Sequence, residues 1–220
     1  MSTLTTEKAI ELFWLGRYSE RVYTTIREFF TGYDTMIDEK ADSYDAFCRR
    51  INIPNVYTGK EDFVKRYPFD ETLPDSIISN LSRAYDNAII NREEINSESL
   101  AYIQMAVDHM NQAGDSKSPL LDLQNVIDDI LAFWGCSYDS MESDVARDII
   151  MTGRRFERLD LYLRFAMDEE QIELQCRRML ARAKNSGFKL RADKINECIA
   201  MYRLGPQYYG KAVECLEASI

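Results

Sequence analysis

A six-residue pattern that groups opposite charges occurs twice in the chain of 220 residues. Residues 16–21 (GRYSER) and, 137 positions later, residues 153–158 (GRRFER) share the pattern Gly-Arg-x-x-Glu-Arg. On a helix, side chains three or four positions apart are neighbours. Each copy therefore places two guanidinium groups beside one carboxylate, and its glycine allows another backbone to approach closely.

These charges can be placed in two ways. On a solvent-exposed helix they would form a surface ladder of ion pairs, which contributes little to stability. However, apolar residues lie on most sides of the helix around the first copy, and such a helix is buried. Since buried charges must be paired, we predict that the two copies meet in the centre of a bundle. Whether that polar core is only structural or lines a binding cavity stays open. The surrounding apolar residues are Leu12, Phe13, Trp14, Leu15, Tyr18 and Val22.

The repeated segments contain the candidate residues for chemistry. A carboxylate held beside arginines stays ionised and could orient an amine or accept its proton, so Glu20 and Glu157 are the catalytic candidates. Guanidinium groups bind carboxylates and phosphates through two parallel hydrogen bonds. The candidate ligand-binding arginines are Arg17, Arg21, Arg154 and Arg158.

Other common site chemistries have little support. A catalytic triad would need the chain's one histidine, His109, as its base, and we interpret His109 as structural or exposed. The paired Glu-x-x-His motifs of di-iron bundles are missing, and zinc ligands are scarce, so no metal is expected. No phosphate-binding glycine loop occurs, and no cofactor is expected.

Charge and cysteine content limit the partners and the compartment. Lys and Arg number 27 against 37 Asp and Glu, and a net charge of −10 makes nucleic acid a poor partner. No apolar run approaches the roughly 20 residues of a membrane span, and the N-terminal segment does not resemble a signal peptide, so no membrane is expected. The odd number of cysteines without a Cys-x-x-Cys pair indicates reduced thiols in a cytoplasmic protein. They are Cys48, Cys136, Cys176, Cys198 and Cys215.

The spacing of apolar residues indicates which elements position these groups. Gly and Pro together number only 14, which disfavours an all-β fold. We predict an all-α fold, a single multi-helix bundle of about seven to nine helices with an internal repeat, in one domain over residues 1–220. Gly32 is predicted to break or bend the first helix. An irregular insert at about 52–75, with room for a short helix, is either a packed loop or a mobile lid. Predicted helices cover about 6–30, 33–51, 75–95, 97–113, 119 to either 134 or 141, 143–167, 168–184, 192–202 and 208–219.

Helix starts are predicted from capping residues. A side-chain oxygen before the first turn can accept a hydrogen bond from a backbone N–H that has no partner within the helix. The predicted caps are Thr5 or Thr6, Asp75 or Ser76, Ser97, Ser118 before Pro119, Ser143 and Asp168.

Three segments resemble the bacterial alpha-E domain family, a predicted all-helical group whose helices end in Glu-Arg motifs. They are residues 13–22 (FWLGRYSERV), 79–95 (SNLSRAYDNAIINREEI, followed by Ser97-Glu98) and 151–163 (MTGRRFERLDLYL), so the resemblance extends over nearly the whole chain. The middle segment departs from the family's usual Arg-Glu-Asn-Ala-Arg, because residues 85–89 read YDNAI. Two arginines are missing there, but Asn87 and Arg92 still match and join the ligand-binding candidates.

The resemblance implies a role beside other enzymes. Members of the family typically occur next to, or fused to, circularly permuted ATP-grasp and transglutaminase-like proteins. Our preferred hypothesis is an auxiliary helical partner of an ATP-grasp type ligase in amide-bond or peptide synthesis or modification. Its Arg/Glu cluster would bind an anionic small molecule or peptide.

Two alternatives remain, and the sequence does not decide whether the protein is an enzyme. The first is an enzyme of amide or peptidyl transfer that uses Glu20 or Glu157 as base. The second is a structural oligomerisation module that forms a homo-oligomer.

Overall fold

The chain forms α-helices throughout the part that the structure, a computed structural model, describes: residues 4–38 and 43–220, with side chains at 4–33 and 44–220. These ranges contain ten α-helices, one 3₁₀ turn and no strand, which confirms the all-α prediction. No helix in them is both long and apolar enough to cross a membrane. The helices are α1 (Thr6–Asp38), α2 (Ser43–Ile51), α3 (Lys60–Phe69), α4 (Ile77–Ile90), α5 (Arg92–Gly114), α6 (Pro119–Ser140), α7 (Asp144–Arg164), α8 (Glu169–Ser186), α9 (Ala192–Arg203) and α10 (Tyr209–Glu217), with the 3₁₀ turn at Pro206–Tyr208.

The helices group into two compact units. The terminal unit comprises the chain up to Arg17 together with Ser143–Ile220, and the middle unit comprises Tyr18–Glu142. Helix α1 contributes its first turns to the terminal unit and the rest to the middle unit. The single domain over residues 1–220 stays a prediction.

Several helices begin and end where their capping residues predict. Thr5, Ser76, Ser143 and Asp168 each accept a hydrogen bond from the backbone N–H three residues later, at 3.2, 3.2, 3.2 and 2.9 Å. Such a bond satisfies an N–H group that has no partner within the helix. At the other end of α8, Gly187 adopts a left-handed conformation (φ 73°) that terminates the helix.

The predicted break at Gly32 is wrong, because α1 continues through this glycine to Asp38. A glycine inside a helix costs only about 1 kcal/mol, and buried residues on the preceding turns, such as Ile26 and Phe29, hold the helix in place. The second helix therefore begins at Ser43 rather than at residue 33. Residues 39–42 of that predicted helix lie outside the described ranges.

Two further boundaries differ from the prediction. The break before residue 97 exists, but its cap is Asn96, whose side-chain oxygen accepts from the Ser99 N–H at 2.8 Å while φ is 64°. With ψ at 166°, the Asn96 backbone lies in a region that residues other than glycine rarely adopt, and it interrupts the helix there. An additional break lies at Asn91, between α4 and α5. Ser118 precedes α6 as predicted, but its side chain makes no capping bond.

The insert at 52–75 packs against the core of the middle unit. Its helix α3 buries Phe63 and Tyr67, whose rings stack with centroids 5.1 Å apart. Phe29 of α1 and Phe47 of α2 lie within 6.5 Å of these rings. The insert is therefore a packed part of the middle unit.

All five cysteines are free thiols, and three of them are buried. Cys198 on α9 is fully enclosed in the terminal unit, and burial raises the pKa of its thiol to about 12. The thiolate is therefore excluded from the folded protein, whereas the unfolded chain titrates near the ordinary cysteine value.

The free energy of unfolding should fall as pH rises from about 9 towards 11. In this range the unfolded state loses the Cys198 proton while the folded state keeps it, so one such group lowers stability by up to about 1.4 kcal/mol per pH unit. Urea unfolding of the wild type and Cys198→Ala at pH 7.5, 9, 10 and 11 measures this. The difference in stability between the two proteins should shrink as pH rises, and a constant difference would contradict the prediction.

Candidate functional site

Helices α1 and α7 touch through their backbones at the two glycines of the repeat. A Cβ atom placed on Gly16 would lie 2.1 Å from the carbonyl oxygen of Ile150, and one on Gly153 would lie 1.9 Å from that of Phe13. Phe13 precedes Gly16 by three residues, as Ile150 precedes Gly153. The contact is therefore reciprocal: equivalent positions of the two copies meet each other.

The crossing brings Arg17 of α1 against Glu157 of α7. The Arg17 Nε donates to Glu157 Oε2 at 2.7 Å, and the two side chains are only 6% and 1% exposed. The guanidinium carbon lies 4.5 Å from the ring centre of Trp14 and 4.7 Å from that of Phe156. The predicted pairing of the two copies away from water is confirmed for this pair.

This geometry suits a structural role better than a catalytic one. A planar guanidinium can stack on aromatic faces while its edge donates to a carboxylate, and both interactions satisfy the buried charge. A general base must reach the proton that it removes. Glu157 is enclosed and already accepts a charge-assisted bond, so a substrate would have to displace Arg17 to reach it.

The corresponding acid of the first copy, Glu20, belongs to the middle unit. It is fully buried and accepts a hydrogen bond from the Thr24 hydroxyl at 2.8 Å. The next residue, Arg21, is half-buried, and its backbone carbonyl accepts from the Thr25 hydroxyl at 2.6 Å.

The remaining candidates are distributed over the two units. Arg154 and Arg158 are half-buried on α7 of the terminal unit. In the middle unit, the Asn87 amide donates to the carbonyl of Arg83 one turn earlier, at 2.8 Å, and Arg92 is exposed at the start of α5. That these residues form one ligand-binding set stays a prediction.

Sequence reasoning missed a second buried ion pair in the terminal unit. Asp160 is fully buried and accepts two hydrogen bonds from Arg164, at 2.8 and 3.2 Å. The two residues are four apart on α7, a spacing that also occurs in exposed pairs, and Asp160 has no acidic counterpart in the first copy. The available signal was the acid's place between the apolar Leu159 and Leu161.

His109 contacts a carboxylate in the middle unit. Its Nδ1 lies 2.6 Å from Oδ2 of Asp129, which is buried on α6. A group of three or more potential metal ligands does not occur among the described residues. The His109 geometry fits the structural interpretation, since a buried carboxylate needs a hydrogen-bond donor.

The comparison with protein families agrees with the resemblance seen in the sequence. A model of the family Alpha-E, described as a predicted alpha-helical domain with a conserved ER motif, matches residues 5–186. The chain belongs to the Alpha-E family. Its ER motifs at 20–21 and 157–158 both lie within the match. Searches of curated proteins and of solved structures each found no match.

Replacing Gly16 with alanine should destabilise this Alpha-E protein by about 3 kcal/mol or more, because the added methyl group would overlap a backbone oxygen that cannot move aside. Gly135→Ala, in the middle of α6, is the matched control. A Cβ there meets no atom within 4 Å, so this change should stabilise by about 0.5–1 kcal/mol. Urea unfolding followed by circular dichroism measures the free energy of unfolding of both variants. Similar changes for Gly16→Ala and Gly135→Ala would contradict the close backbone contact between α1 and α7.

Arg17→Ala should destabilise by about 3–5 kcal/mol, since it removes the cation from a buried carboxylate. The control is Arg178→Ala, an exposed position on α8 where a change below about 0.5 kcal/mol is expected. The double variant Arg17→Met, Glu157→Leu should recover part of the loss, because both charges leave the core together. A loss for Arg17→Ala as small as that of the control would argue against the buried pair.

Proposed function

We propose that this Alpha-E protein is a non-enzymatic helical partner of an ATP-grasp type ligase, acting in amide-bond or peptide synthesis or modification. The observation that carries the non-enzymatic part is the enclosed Arg17–Glu157 pair. These two members of the repeated motif stabilise a helix crossing, and neither side chain faces solvent where a substrate could react. The choice of partner is supported by membership of the family, because its members typically occur next to, or fused to, circularly permuted ATP-grasp proteins.

We also propose that the protein binds an anionic small molecule or peptide. This part of the proposal rests on the half-buried guanidinium groups of Arg21, Arg154 and Arg158. Arginine is less strongly hydrated than lysine and matches carboxylates and phosphates with two parallel bonds. A partly desolvated guanidinium therefore suits an acidic group of a peptide or small molecule. Each arginine acts within its own unit in this proposal.

Co-elution tests the partnership. The purified Alpha-E protein is mixed at micromolar concentration with a circularly permuted ATP-grasp protein from the same organism, and the mixture is passed over a size-exclusion column. We expect the two proteins to elute together as a complex of defined stoichiometry. An ATP-grasp ligase from an unrelated system serves as the control and should elute separately. Separate elution of the ATP-grasp protein from the same organism as well would contradict the partnership.

Turnover of the reconstituted pair distinguishes a partner from an enzyme. Glu20→Gln and Glu157→Gln, assayed singly, should leave turnover unchanged once the rate is divided by the folded fraction. Glutamine keeps the size and hydrogen-bonding capacity of glutamate but cannot act as a base. A large loss of turnover in a folded variant would instead favour the enzyme hypothesis.

A further inference from the structure

The terminal unit contains an apolar cleft of about 590 Å³, and the arginines and glutamates of the repeat are not among the residues that line it. The first turns of α1, the start of α7 and the segment after α8 form its walls. Ile10, Val145 and Ile220 line it although they are 47%, 43% and 50% exposed. Large apolar side chains left half-exposed around one concave surface are typical of a ligand site.

The inner wall of the cleft is aromatic. Phe13 and Phe188 stack with ring centres 4.7 Å apart and planes 12° from parallel. Trp14 also lines the cleft, and it contacts the Arg17 guanidinium, which is fixed by its bond to Glu157. Phe13 and Trp14 lie on the part of α1 that crosses α7, so the crossing itself builds this side of the cleft.

The polar groups of the cleft lie at its rim and favour an anion. Among the described residues that line the cleft, Lys189 has the one charged side chain, and it is exposed. Thr5 and Thr6 line it at the N-terminal end of the 33-residue helix α1, where the helix dipole is positive. An apolar wall with a cation at its rim complements a molecule that has an apolar body and an acidic head.

We propose that this cleft binds a carboxylic acid with an apolar chain, the chain lying along Phe13 and Phe188 and the carboxylate near Lys189. The volume lies within the range of roughly 300–1,000 Å³ typical of small-molecule sites. The site goes beyond the proposed partnership with a ligase and does not depend on it, because the cleft is formed by the terminal unit alone.

Decanoate and 1-decanol are the probes, because they share a ten-carbon chain and differ in charge. Isothermal titration calorimetry of the full chain should show saturable decanoate binding with a Kd of about 1–100 μM. 1-Decanol should bind more weakly, since it lacks the charge that Lys189 complements. Absence of saturable decanoate binding, or equal affinity for the two probes, would overturn the proposal.

Two pairs of variants locate the binding. Lys189→Gln should weaken decanoate about threefold to tenfold and leave 1-decanol unchanged, whereas Lys184→Gln, an exposed lysine of α8 that does not line the cleft, should change neither. Val145→Trp should weaken both probes more than about tenfold by filling the cleft. Its control is Val56→Trp, since Val56 is equally exposed but lies in the middle unit.

All four variants change exposed or half-exposed side chains, so their circular dichroism spectra and melting temperatures should match those of the wild type. If Lys189→Gln lowers the affinity for both probes equally, or Val145→Trp lowers neither, decanoate does not occupy the cleft in the proposed orientation. Since no ATP-grasp protein is present, these outcomes are independent of the co-elution experiment.

Discussion

The close backbone contact between α1 and α7 is the constraint on which the terminal unit depends. Gly16 and Gly153 lie so near the facing carbonyl groups that no larger residue fits at either position. Once the helices are this close, the side chains of Arg17, which follows Gly16, and Glu157, four positions after Gly153, must share the same small volume. Only a compact and complementary arrangement of atoms can fill it.

The Arg17–Glu157 pair meets this requirement with opposite charges. Removing two ions from water is costly, and the attraction between them offsets that cost only when the geometry is good and other interactions satisfy the remaining surface. Here the guanidinium carbon lies over the rings of Trp14 and Phe156, while Nε donates to the carboxylate. Lysine lacks the flat, delocalised cation that makes this stacking favourable. Arginine therefore suits this position better than lysine.

The sequence contained much of this arrangement. The repeated Gly-Arg-x-x-Glu-Arg pattern, with apolar residues on most sides of the first copy, was sufficient to predict helices that bury an Arg–Glu pair. Capping residues such as Ser143 and Asp168 located helix starts because a cap acts locally, within one turn. Gly32 was misleading for the opposite reason, since packing elsewhere along α1 overrides a weak local preference.

Features that depend on distant parts of the chain could not be predicted. Asn91 breaks a helix without any glycine or proline signal, and the Asp160–Arg164 spacing does not distinguish a buried pair from an exposed one. The cleft brings together Phe13, Val145 and Phe188, which are far apart in sequence and carry no shared motif. Periodicity indicates that such residues face inward or outward but not which of them meet.

The composition of the terminal unit affects how the chain folds during synthesis. Its first helical turns, with Leu12, Phe13 and Leu15, pack with residues from Ser143 onward. More than a hundred residues must therefore leave the ribosome before this apolar stripe is covered, which at about 5–20 residues per second takes several seconds or longer. During that interval the nascent chain exposes an apolar segment, and exposed apolar surface of this kind promotes aggregation. The terminal unit therefore completes its folding only after the residues from Ser143 onward have been synthesised.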